Sequence, residues 1–290
     1  MAWSILLLLS LIWGSSFILI KKSLLAFTPM QVGTGRIVFA FLAFTPLLWV
    51  QLRRLKRENL IPILVVGICG SALPAILYAT AQTEIPSATA GLLNALTPIF
   101  TFLLALAFFG SRFFWKQLMG IIMGLGGTAL IFLSKTDAQT GFPILYGLMI
   151  VGATLCYAIS ANTVGTKLKG IHPLVISTIS FCMIGPMACV YLLTTDFVHQ
   201  ACTHEQGLLS LTALIILSLV GTFGANIVFF KLIQITDAIF SSSVSFITPI
   251  VALAWGLWDG EKMTLHFFMA LLLILAGVFL VKYGKRDVKS

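Results

Sequence analysis

Two stretches decide the fold: IPSATAGLLNALTPIFTFLLALAFFG at 85–110 and TDAIFSSSVSFITPIVALAWGLWDG at 236–260. Each is a mostly apolar run with a Thr-Pro-Ile triplet near its centre, Thr97-Pro98-Ile99 in the first and Thr248-Pro249-Ile250 in the second. The correspondence continues outward in order. Gly70 aligns with Gly221 and Tyr78 with Phe229; after a one-residue gap, Gly110 aligns with Gly260 and Gly127 with Gly277. One unit of sequence has been used twice.

The medium around that unit follows from composition. Charged residues make up 9% of the 290, against about 25% in soluble domains. Apolar residues reach 59% and the mean hydropathy is +1.06, so lipid must be the solvent for most of the chain. A helix needs about 20 mostly apolar residues to cross the hydrocarbon core. Ten runs qualify: 3–20, 30–50, 60–81, 86–109, 115–134, 143–164, 172–194, 208–233, 238–258 and 264–283. The first is followed by Lys21 and Lys22 and lacks a basic leader, so it reads as a spanning helix and not as a signal peptide.

Charge sets the expected orientation. The loops on the side of the N-terminus hold Arg53, Arg54, Lys56, Arg57, Arg112, Lys116, Lys167, Lys169, Lys231, Lys282, Lys285, Arg286 and Lys289. The opposite side holds only Lys21, Lys22, Lys135 and Lys262, so both termini are expected in the cytoplasm. The same distribution accounts for the net charge of +9 without nucleic acid, because the basic residues sit between apolar runs and form no stripe. Cys69, Cys156, Cys182, Cys189 and Cys202 show no framework spacing and read as small hydrophobes. His199, Cys202, His204 and Glu205 share a loop, but their spacing matches no metal site.

Five spans per unit carry a geometric consequence: the second copy enters the membrane upside down. The expected fold is an all-α membrane protein of ten transmembrane helices as two inverted five-helix repeats, 1–136 and 142–285, with a cytoplasmic tail at 286–290. In carriers built this way the solute site lies near the midplane, between the repeats.

Candidate site residues follow from that expectation. Pro98 and Pro249 lie inside spans four and nine, where they are expected to kink the helices, and deprive the carbonyls of Asn94 and Ser245 of their helical partners. These two positions are repeat equivalents, both polar, and an unpaired carbonyl at that depth must be met by protein, water or solute. Ser241 extends the polar start of span nine. Trp13, Tyr78, Asn162 and Asn226 are further groups that could face a cavity walled by spans one, three, four, six, eight and nine. Arg36, two turns into span two, is costly in a membrane and is expected to pair with Glu84 beyond span three. For small residues such as Gly91 and Ser242, close helix packing is the better explanation.

Taken together, LIWGSSFILIKKSL, TPMQVGTGRIVFAFLAFTPLL and the paired LTPIFTFLLALAFFG and ITPIVALAWGLWDGE resemble the EamA-type proteins of the drug/metabolite transporter superfamily, over essentially the whole chain. The resemblance implies two five-helix halves and, for many relatives, export of amino acids or other metabolites from bacteria. The second copy keeps the family's Gly-Glu at Gly260-Glu261, whereas the first has Gly110-Ser111.

The expected function is therefore transport, most simply export of amino acids or related uncharged or zwitterionic solutes across a bacterial inner membrane by alternating access. There is no Walker A motif, no H-E-x-x-H and no nucleophile elbow, so neither an enzyme nor an ATP-driven pump is expected, and no cofactor or metal is called for. The partners are a small-molecule substrate and the lipid bilayer, with monomer and homodimer both open. Glu84 is the one acidic residue to consider as a proton site. A lipid translocase, or a non-transporting sensor or assembly protein on the same scaffold, is the alternative.

Overall fold

A computed structural model describes residues 2–108, 115–133, 143–262 and 264–283. Every regular element among the described residues is a helix, with no strand. Eight helices are long and apolar enough to cross a membrane: α1 (Ala2–Ser23), α2 (Pro29–Leu52), α3 (Arg57–Ala81), α4 (Ser87–Phe108), α6 (Ile144–Thr166), α7 (Pro173–Leu193), α8 (Gly207–Ile235) and α9 (Ala238–Trp258). Two more, α5 (Trp115–Leu133) and α10 (Leu265–Tyr283), carry the shorter apolar segments Leu118–Gly127 and Leu265–Gly277. The chain is a multi-pass membrane protein. Arg112, Lys135 and the tail at 286–290 lie outside the described residues.

Polar side chains start several of the helices. Thr28 and Gln31 form a capping box before α2, with Pro29 at its first position, where a missing N–H costs nothing. The His172 ring accepts from the Leu174 amide ahead of α7, and Asp237 accepts from the Phe240 amide at 2.7 Å ahead of α9. α4 is the central element: 67% of its spanning window is buried inside the protein, against at most 56% for the other seven.

The packing is orderly. α5 and α10 pack closely on each other, and α2 packs on α7. α4 and α9 pair at the centre; α1 lies against α8 and α9, and α6 lies against α3 and α4. Glycine allows the tightest contact. A Cβ added to Gly277 would lie 2.4 Å from the carbonyl oxygen of Gly120, so the α10 and α5 backbones touch there.

Neither long proline helix is continuous, and the breaks precede the prolines. α4 divides into Ser87–Asn94 and Thr97–Phe108, with the turn at Ala95 and Leu96 ahead of Pro98. That is where the proline ring crowds the preceding backbone. In α9 the break falls at Ser243, between Ala238–Ser242 and Val244–Trp258, and the helix runs unbroken through Pro249. The interruption in α9 therefore lies six residues before Pro249, in the Ser241-Ser242-Ser243 run.

Candidate functional site: a polar cavity between the central helices

α3 and α8 each contain a π-helical turn, Ile68–Ala72 and Leu219–Gly224. These turns hold Gly70 and Gly221, the pair aligned by the sequence. A π turn widens the helix by one residue, shifts its carbonyls and recurs at functional sites. The reason for glycine is steric. A Cβ on Gly70 would lie 2.5 Å from Ser160 Oγ of α6, and one on Gly221 would lie 3.0 Å from Ser16 Oγ of α1. Trp13 of α1 donates its indole N–H to the displaced Gly221 carbonyl at 2.9 Å.

Between these turns lies a cavity with about 920 Å³ of empty space, any opening to solvent included. Six helices expected as its walls contribute, α1, α3, α4, α6, α8 and α9, and so does α2 through Arg36 and Ile37. Its lining extends from Ile20 and Arg36, nearer the opposite end, through Asn94 and Thr222 to Phe229, Phe230, Ser241 and Ser242 near the end that carries the N-terminus.

Of the residues singled out from sequence, Trp13, Tyr78, Asn94, Asn226, Ser241 and Ser245 all line this cavity. Tyr78 donates to Asn94 Oδ1 at 2.7 Å, and Asn94 Nδ2 reaches Ser245 Oγ at 3.5 Å, joining α3, α4 and α9. The Asn94 carbonyl, freed by Pro98, accepts from Thr97 Oγ1 at 2.8 Å, so a neighbouring hydroxyl meets it and no solute is needed. Asn226 donates to Ser71 Oγ at 3.2 Å. Asn162 stands apart: its amide donates to the carbonyls of Thr101 and Ala158, both at 3.0 Å, and it ties α6 to α4 away from the lining.

Arg36 differs most from expectation. Glu84 is exposed in the turn after α3, and no ion pair joins the two among the described residues. The Arg36 side chain instead reaches the cavity, where Nε donates to Thr222 Oγ1 at 2.6 Å. Its length lets it extend inward, where a shorter side chain would have stayed near the helix end. Among the described residues it is the one charged side chain on the cavity wall, and none of them brings a carboxylate there. Ser71, Thr97, Tyr157, Ser160 and Thr222 also line the cavity and were not singled out. Two of them carried a signal: Gly70-Ser71 and Gly221-Thr222 are matching glycine–hydroxyl pairs in the duplicated unit.

Aromatic rings form the rest of the wall. Tyr78 stacks near Tyr157 with centroids 6.0 Å apart, Phe17 meets Tyr78 edge-on at 5.6 Å, and Trp13 meets Phe229 edge-on at 4.9 Å.

An ion cluster lies at the end opposite the N-terminus. Lys21 lies 2.7 Å from Asp259 and 2.9 Å from Glu261, and Lys22 lies 2.6 Å from Asp259. Hydrogen bonds from Lys21, then from Lys22, hold the Asp259 carboxyl below the usual aspartate value. Gly260 takes a φ of +80°, a left-handed turn suited to glycine, and ends α9 so that Glu261 points back into the protein. The Glu261 carboxylate, 5% exposed, accepts from the amides of Ser87 at 3.0 Å and Ala88 at 3.1 Å. It thereby caps α4 from across the molecule.

Comparison with known proteins places this architecture. The EamA-like transporter family model matches the chain twice, over residues 1–133 and 144–283, and the chain belongs to that family. It is 24% identical over 265 residues to an S-adenosylmethionine/S-adenosylhomocysteine transporter of Chlamydia trachomatis, covering 88% of this chain and 81% of that one. It is 23% identical over 294 residues to a probable amino-acid metabolite efflux pump of Escherichia coli, covering 98% and 95%. A solved crystal structure superposes with a TM-score of 0.65 at 16% identity, covering 100% of this chain and 99% of its own, a likeness of fold alone.

Proposed function

We propose that this protein exports small organic solutes, amino acids or closely related uncharged or zwitterionic metabolites, by alternating access around the central cavity. In this reading α5 and α10 also cross the bilayer, giving ten spans, and the two family-matched blocks are inverted five-helix repeats. Contacts support the inversion: exchanging α1 with α6, α3 with α8 and α4 with α9 turns the α1–α8 contact into α6–α3 and α1–α9 into α6–α4. The matched π turns and the paired Gly70–Ser160 and Gly221–Ser16 contacts follow the same exchange.

The main support for alternating access is the contrast between the two ends. The polar lining continues toward the N-terminal end, whereas the Lys21–Asp259–Glu261 cluster ties α1, α4 and the α9–α10 turn together at the other. With the termini in the cytoplasm, as the loop charges favour, this is a form closed to the outside. Rocking one half against the other would break the cluster and close the inner end. Family membership points to a carrier and not to a catalyst.

The test is a metabolite comparison of medium and cytoplasm from cells overproducing either the unaltered chain or Asn94→Leu at equal membrane abundance. The proposal expects a solute enriched outside and depleted inside only with the unaltered chain. Identical profiles would count against export.

A further inference from the structure

We infer that Arg36 forms a carboxylate-binding subsite, and that the cavity selects a monoanionic carboxyl group on an apolar or aromatic body, with an amine dispensable. The inference rests on reading the cavity as the solute site. It keeps the amino acids of that reading, drops its solutes without a carboxylate, and adds monoanions that carry a carboxylate and no amine.

Three observations converge. First, Arg36 brings a full positive charge to a wall that has no carboxylate to balance it. Arg36 is half-buried, so its guanidinium loses part of its hydration without a counter-ion, and a bound anion recovers part of that cost. Second, the bond to Thr222 Oγ1 uses Nε, and the Tyr157 hydroxyl also hydrogen-bonds the guanidinium, so neutral side chains orient the group. The terminal nitrogens meet no carboxylate among the described residues, and guanidinium geometry suits two-point binding of one. Third, the neighbouring surface is aromatic: Tyr78 and Tyr157 stack with planes 23° apart, Phe17 meets Tyr78 edge-on, and Trp13 meets Phe229 edge-on.

The amine has no matching anion. An ammonium entering the cavity would find only neutral acceptors, such as Asn94 Oδ1 and serine hydroxyls, while Arg36 repels it. The carboxyl group therefore contributes most of the charge recognition, and an α-amino group adds little.

Three probes of similar shape separate these contributions: 3-phenylpropionate with a carboxylate only, phenylalanine with both groups, and 2-phenylethylamine with an amine only. Binding is measured to the purified full-length protein in detergent. 3-Phenylpropionate and phenylalanine should bind within about threefold of each other, and 2-phenylethylamine about tenfold or more weakly, the size of a lost charge-assisted contact. Arg36→Gln should shrink that gap to under about threefold, and Arg36→Lys should keep part of it. Amine binding as tight as carboxylate binding, no binding by any probe, or an undiminished gap in Arg36→Gln would each overturn the inference. Because the probe series is read on the unaltered protein, a poorly folding variant does not blunt the test.

Flux is read separately in proteoliposomes. Binding of 3-phenylpropionate without movement would count against the transport reading and support the subsite. Movement of 2-phenylethylamine alone would support transport and overturn the subsite.

Discussion

Glu261, in the turn that ends α9, accepts a hydrogen bond from the backbone amide of Ser87, 3.0 Å away at the first turn of α4. A residue distant in sequence thus caps the most buried helix of the protein, and Lys21 of α1 neutralises it. Three segments meet at one carboxylate. Any motion that separates α1, α4 and α9 at this end must break that set of contacts together.

Glu261→Gln keeps the shape but removes the charge from a nearly buried site. It should cost about 1.5–3 kcal/mol of stability, the range for hydrogen bonds to a charged group. Lys22→Gln should cost less than about 1 kcal/mol, because that side chain is 37% exposed and pairs only with Asp259. Thermal unfolding of the two variants in detergent checks the ranking, and equal losses would refute it.

The cluster has a defined acid sensitivity. Asp259 has its carboxyl depressed in the folded protein, chiefly by hydrogen bonds from Lys21 and Lys22, so the unfolded chain takes up its proton first as pH falls. Its contribution is fully present above the ordinary aspartate value of 3.8 and is lost as pH falls through the lower folded value. Melting temperature followed from neutral pH downward should show an acid-side loss that Asp259→Asn lacks in part.

The two π turns should differ in tolerance. Gly70→Ala places a Cβ 2.5 Å from Ser160 Oγ, whereas Gly221→Ala places one 3.0 Å from Ser16 Oγ. Gly70→Ala should lose about 1–3 kcal/mol of stability, as overpacked sites do, and Gly221→Ala less. Adding Ser160→Ala should recover part of the Gly70→Ala loss. A double variant no better than the single one would show that the hydroxyl is not the obstacle.

Asn162 and Asn226 should separate by phenotype. Asn162→Ala removes amide bonds to the Thr101 and Ala158 carbonyls and should lower stability by about 1–3 kcal/mol, with solute affinity unchanged in the protein that folds. Asn226→Ala opens the Ser71 contact on the cavity wall and should change apparent solute affinity more than stability. Melting curves and concentration-dependent flux on both variants check the split.

Much of the helix layout was legible because hydropathy reports it directly. The run read at 143–164 is the helix Ile144–Thr166, and the run read at 172–194 is Pro173–Leu193. Asn94 and Ser245 came from a symmetric proline motif, a signal that needs no structure. What stayed hidden depends on contacts between helices. A π turn at Gly70 forms because Ser160 packs there, and sequence shows the glycine but not its neighbour. Arg36 was matched to Glu84 by loop topology, yet its long side chain reaches Thr222 instead. The break in α9 falls at Ser243, a position that the proline motif does not mark.

The most direct measurement of the central claim uses vesicles that contain the purified protein and nothing else. Proteoliposomes would be loaded with a mixture of amino acids and aromatic carboxylates, and the released solutes identified by mass spectrometry against time. Solute passage through the cavity predicts that at least one compound leaves faster than from empty vesicles, and that Asn94→Leu at equal reconstitution abolishes the difference. Release equal to that of empty vesicles for every compound, or equal release from Asn94→Leu, would contradict it.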